Sequence, residues 1–134
     1  MIESIIYDYL INDTDLTTAL GSTAILYGNI PKDTKEGLSY LTITEAVQDL
    51  SGCVYTQPIQ FNLLTATKAK NVAVREAFRD AIDRMDNIQS ENLEDATYRI
   101  LWAKTVGGSE SLLEEDNQIS TFYTIEVEFR FIKK

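Results

Sequence analysis

Histidine is absent from these 134 residues, and Cys53 is the single cysteine. The first absence removes the commonest general base, the commonest metal ligand, and the Ser–His and Cys–His pairs. The second excludes an internal disulfide and a cysteine-rich zinc site. Cys53 has no basic neighbour in sequence to favour a thiolate, so it reads as a small apolar residue. Carboxylates and lysines remain. Glu114, Glu115 and Asp116 are adjacent, and in extended backbone adjacent side chains alternate in direction. They lack the interleaved Asp/Asn and Gly of a calcium loop. No spacing marks a pair of acids held across a cleft for hydrolysis. Gly107-Gly108 is not followed by a helix signal and matches no phosphate-binding loop. Arg99, Trp102 and Lys104 are the best local case for an aromatic-basic nucleic-acid surface. Regular strand alternation sends Arg99 away from the other two, and Trp102 then reads as core. No catalytic, cofactor-binding or metal residue is expected, and the chain reads as a non-enzyme.

The charge balance points the same way. Twelve basic against 21 acidic side chains leave a net charge of −9. Such a surface repels nucleic-acid phosphates and anionic membranes at long range. Hydrophobic content of 44% supports a real core, and the length fits one domain over residues 1–134. No apolar run is long enough for a membrane helix. The start of the chain carries Glu3 and Asp8 without a basic n-region, which predicts a soluble intracellular protein rather than a secreted one.

The elements that would position any site are legible from periodicity. Lys68 to Asp86 is the clearest helix. Val74, Phe78, Ala81, Ile82 and Met85 form one apolar stripe, Thr67 is the expected N-cap, and Arg75, Arg79 and Arg84 belong to the polar face. Residues 2 to 11 form a first helix, with Ile2, Ile5, Ile6, Tyr9 and Leu10 on one side. A short second turn from Asp15 to Leu20 stops at Gly21. Ile25 to Tyr27 is a brief extended piece. Strands are expected over Leu38 to Gln48, Cys53 to Ala66, Thr97 to Val106 and Ile119 to Ile132. Pro58 falls inside the second of these and demands an edge or a bulge there. Ile88 to Ala96 reads as a connecting loop. Gly107-Gly108 is read as ending the third strand, which leaves a long acidic stretch, Gly107 to Gln118, as an extended arm or loop. The expected class is α+β: an antiparallel or mixed four-stranded sheet, amphipathic helices on one face, and a long acidic loop between the last two strands.

This layout resembles the tail terminator, or tail completion, proteins of long-tailed bacteriophages and related prophage elements. The resemblance rests on the amphipathic IIYDYLI, the segment ILYGNIP, the strands YLTITEA and IQFNLLTA, and the direct run of the latter into the helix KAKNVAVREAFRDAIDRM. It implies a structural virion protein at the head–tail interface, assembled in the host cytoplasm. It also implies a ring, commonly hexameric, that caps the head-proximal end of the tail tube and stops its polymerisation. The partners implied are the tail tube protein, the head connector and further copies of the chain. DNA would pass through without sequence-specific binding, no membrane is involved, and no cofactor is expected.

If that holds, sheet edges and long connections make the contacts. The first candidate docking element is the acidic stretch Glu110 to Asp116, with Leu112 and Leu113 set among Glu110, Glu114, Glu115 and Asp116. The second is the charged loop containing Lys32, Asp33, Lys35 and Glu36. Other readings are a head-closure or connector protein, an acidic module that captures a basic protein, and a small carboxylate enzyme. Adding purified tails separates the terminator reading from the others, since a terminator should bind the tube end and no random basic protein.

Overall fold

The structure is a computed structural model that describes residues 2–21, 25–27, 39–45, 54–87, 93–115 and 118–134. Among the described residues three helices and five strands follow in the order α1 (Glu3–Ile11), α2 (Thr14–Leu20), β1 (Ile25–Tyr27), β2 (Tyr40–Glu45), β3 (Val54–Thr65), α3 (Lys68–Asn87), β4 (Tyr98–Glu115) and β5 (Gln118–Lys133). The sheet order is β1-β2-β3-β5-β4. Four strands, β2-β3-β5-β4, pair antiparallel, and the short β1 adds to β2 in parallel. The class is the α+β one expected from the sequence, and the brief apolar piece at Ile25 supplies the mixed edge.

Alternation along the central strands decides which face is covered. Ile59, Phe61 and Leu63 of β3 and Ile125, Val127, Phe129 and Phe131 of β5 are buried on one face. On the opposite face Glu126 and Arg130 are exposed. The anticipated stripe of α3 lies on the covered face, with Val74, Phe78, Ala81, Ile82 and Met85 all buried. Phe78 meets Phe61 at 4.8 Å between ring centroids, and Phe61 lies 6.4 Å from Phe129, both tilted as aromatic pairs prefer. Thr67 caps α3 by accepting from the Lys70 amide at 3.1 Å. One polar residue shares the stripe: Asn71 is fully buried and donates to the Thr121 carbonyl at 3.2 Å, which ties α3 to β5.

The N-terminal helices complete the layer. Ile2, Ile5, Ile6 and Leu10 are buried as their spacing predicts. Glu3 accepts from buried Gln57 of β3 at 3.0 Å. Asp13 accepts from the Leu16 amide at 3.0 Å and caps α2, which ends on Gly21 at φ 78°. That left-handed angle is one glycine adopts without a Cβ penalty. Asp13 also pairs with Arg84 of α3 at 2.5 Å, joining the two helices.

Pro58 fits an edge within a central strand. Pairing of β2 with β3 runs from Tyr40↔Leu64 to Glu45↔Ile59, so among the described residues β3 has β5 alone beside it from Pro58 back to Val54. The expected turn at Ser51-Gly52 and the Cys53 thiol lie outside the described residues. The segment expected as a plain loop before β4 is built in: Leu93 is buried, and its carbonyl accepts from the Ile100 amide at 2.9 Å. No described helix is long and apolar enough to cross a membrane.

Candidate functional site

The expectation of a long acidic loop is corrected by the course of β4. This strand does not stop at Gly107-Gly108 but pairs with β5 as far as Glu115↔Gln118. Two bulges, between Ile100 and Trp102 and between Thr105 and Gly107, break the period-two pattern without ending the strand. Gly108 then does something a larger residue could not. A Cβ there would fall 2.5 Å from the Tyr123 hydroxyl oxygen, so the missing side chain is what lets the Tyr123 ring lie against the strand.

Beyond the end of β3 the last two strands continue as a two-stranded arm. Pairing of β3 with β5 ends at Thr65↔Thr121, whereas β4 and β5 go on through Leu113↔Ser120 and Glu114↔Ile119 to Glu115↔Gln118. Three further rungs correspond to roughly 10 Å of ribbon at about 3.3 Å per residue. The sequence-predicted docking residues Glu110, Leu112, Leu113, Glu114 and Glu115 therefore stand on one strand, with Glu110 exposed. Asp116 and the second candidate, Lys32, Asp33, Lys35 and Glu36, lie outside the described residues.

β4 is also an outer strand of the sheet, bridged at its start by the Glu94↔Arg99 pair and, among the described residues, paired with β5 alone beyond it. Leu101 and Val106, the bulge residues, are 40% and 49% exposed. The first bulge overturns the expected environment of Trp102. With Leu101 spliced out of the alternation, Ile100 and Ala103 share the covered face and are buried. Trp102 pairs with Arg130 instead, half-buried on the open face, with the guanidinium 4.8 Å from its ring centroid. The same register returns Arg99, opposite Ile132, to the face of Trp102 and of Lys104, opposite Glu128. The aromatic-basic trio that strict alternation separates is thus brought to one side.

Between β4 and α3 lies a groove of about 720 Å³. Arg75, Arg79 and Asp83 line its helix side, Thr105 to Gly108 its strand side, and Phe78, Tyr123 and Ile125 also border it. Arg75, placed by periodicity on the solvent face, is half-buried here and stacks over Tyr123 at 4.3 Å. Stacking of this kind uses the planar guanidinium, which lysine could not reproduce. Among the described residues the Arg75 Nε and the Thr105 hydroxyl, both buried, have no hydrogen-bond partner. Among the described residues neither Arg75 nor Arg79 has an ion-pair partner within 4.0 Å. Periodicity missed this site because its two walls are far apart in sequence. The i, i+4 spacing of Arg75 and Arg79 was the one available signal.

A second hollow, about 430 Å³, is bordered by Asp8, Asp13, Glu94 and Asp95. Three of these four acids have structural tasks. Asp13 caps α2 and holds Arg84. Glu94 takes Arg99 at 2.6 Å and Lys134 at 3.2 Å, and their hydrogen bonds hold it below its ordinary pKa of 4.5. Asp95 accepts the Tyr98 and Thr97 amides at 2.7 and 2.8 Å, which holds it below 3.8. No group of three or more metal-ligating side chains is found among the described residues.

The comparisons bear on the fold that carries this arm and groove. A chain in the virion of a native gene transfer agent (GTA) particle matches with a TM-score of 0.64. The two share a fold. The match covers 96% of this chain and 92% of that one at 17% sequence identity. A second solved chain aligns over 98% of this one, but at a TM-score of 0.41 and 13% identity it carries no argument. No protein-family model matches the sequence. No curated protein matches it either.

Proposed function

We propose that this chain is a structural virion assembly protein that caps the head-proximal end of a phage-type tail tube, halts its polymerisation and joins it to the head connector as a ring. The observation that carries the reading is the near full-length fold shared with a chain in the virion of a gene transfer agent particle. The arm supports it, since a ribbon projecting from a rigid sheet suits contact with a neighbour. Its partners are then the tube protein on one side, the connector on the other and further copies laterally. The acidic surface, net −9, keeps DNA from adhering as it passes.

The reading is tested by mixing the purified protein with unfinished tails and viewing the products by electron microscopy. Added density at one end of each tube, with tube length no longer growing, is the expected result. Protein that leaves tube ends bare and lengthening would refute the assignment.

A further inference from the structure

The groove between α3 and β4 is lined by Arg75, Arg79 and Lys104 against one acid, Asp83, on a chain that is otherwise strongly acidic. Arg75 and Arg79 stand one helical turn apart along it; among the described residues neither is in an ion pair, and the buried Arg75 Nε and Thr105 hydroxyl have no hydrogen-bond partner. At about 720 Å³ it falls within the roughly 300–1,000 Å³ of ligand-sized sites. Apolar groups border it too, with exposed Val106 at its rim and Phe78 and Ile125 in its lining. An occupant must therefore bring carboxylates together with apolar side chains.

We infer that this groove receives the acidic arm of a second copy of the chain. Residues 113–118, Leu-Glu-Glu-Asp-Asn-Gln, hold three acids, a leucine and no basic residue, which complements the arginines and apolar lining of the groove. The arm cannot turn back into its own groove. It continues β4 from Gly108 in unbroken pairing to Glu115, seven residues or roughly 23 Å further on. The contact therefore joins two different surfaces, the arm of one copy and the groove of the next. Such heterologous contacts propagate, and they close into a ring when the rotation per subunit allows. This rests on the reading of the protein as an assembly subunit and supplies that reading with a lateral contact.

The test uses a labelled peptide of residues 109–119, cyclised to favour a hairpin, titrated into the full-length protein and followed by fluorescence anisotropy. Saturable binding is expected, weaker with added salt and reduced by roughly tenfold or more in Arg75→Glu/Arg79→Glu. A peptide carrying Glu114→Lys and Glu115→Lys should regain binding to that variant. Arg75→Gln/Arg79→Gln serves the same purpose if charge reversal unfolds the chain, which circular dichroism reports. Absent binding, binding indifferent to the arginines, or equal binding of a scrambled peptide would each overturn the inference. The two readings fail separately. Tails capped normally by the charge-reversed protein remove the arm-in-groove contact and leave tail capping intact. A peptide that binds while tail ends stay bare does the reverse.

Discussion

A Cβ at residue 108 would lie 2.5 Å from the Tyr123 hydroxyl oxygen and 2.7 Å from its Cε1, so Gly108 and Tyr123 are coupled through shape. Gly108→Val should swing the ring out, uncover Arg75 and destabilise the chain by about 1–3 kcal/mol, read as a lower urea midpoint. If the clash is the cause, Gly108→Val with Tyr123→Ser should cost less than the sum of the two single changes. Equal additivity would mean that the glycine is needed for another reason. Asp13 offers a second residue-level check, because it caps α2 and pairs with Arg84. Asp13→Ala should cost about 0.5–2 kcal/mol through the lost cap. The ion pair adds little, since the Arg84 side chain is 44% exposed.

The fold depends most on α3, the element that closes the covered face of the sheet. Phe78 is 1% exposed and packs on Phe61, so Phe78→Ala should destabilise by about 3–5 kcal/mol, a large share of the roughly 5–15 kcal/mol that holds a domain. Chemical denaturation would measure it. The entry into β4 predicts a pH dependence. Glu94 is held below 4.5 by Arg99 and then Lys134, and Asp95 below 3.8 by the amides of Tyr98 and Thr97. Depressed folded-state values mean that the unfolded chain binds more protons in acid. The stabilisation is complete above the ordinary values and is lost as pH falls through the depressed ones. Melting temperature should therefore drop below about pH 4.5, and Glu94→Gln/Asp95→Asn should flatten part of that drop. An unchanged acid limb in the double variant would assign it to other carboxylates.

At the scale of the whole molecule, we propose that the sheet presents its arm and its outer strand, β4, to neighbouring subunits. Leu112→Ser/Leu113→Ser should leave circular dichroism and melting nearly unchanged while weakening attachment to tail ends. Electron microscopy of mixed samples would report it. Tails joined as well as by the unaltered protein would remove the leucines from the docking surface. The long acidic stretch has a different meaning here from the one its composition suggests: a paired ribbon holds its residues in fixed register, whereas a loop would have to order them on contact.

Local periodicity determined a good deal unaided. The apolar stripe of α3, the Thr67 and Gly21 caps, and the inward face of β5 follow from spacings of 3.6 and 2, which depend on neighbours in the chain alone. The α+β class follows from their order. Pairing across the sheet decided the rest. The bulges at Leu101 and Val106 shift alternation by one residue, which carried Trp102 to the open face and β4 past its glycines, and a bulge is set by the partner strand. The groove likewise required Arg75 and Gly108 to meet across Tyr123, residues that only the packing of α3 against two strands brings within reach.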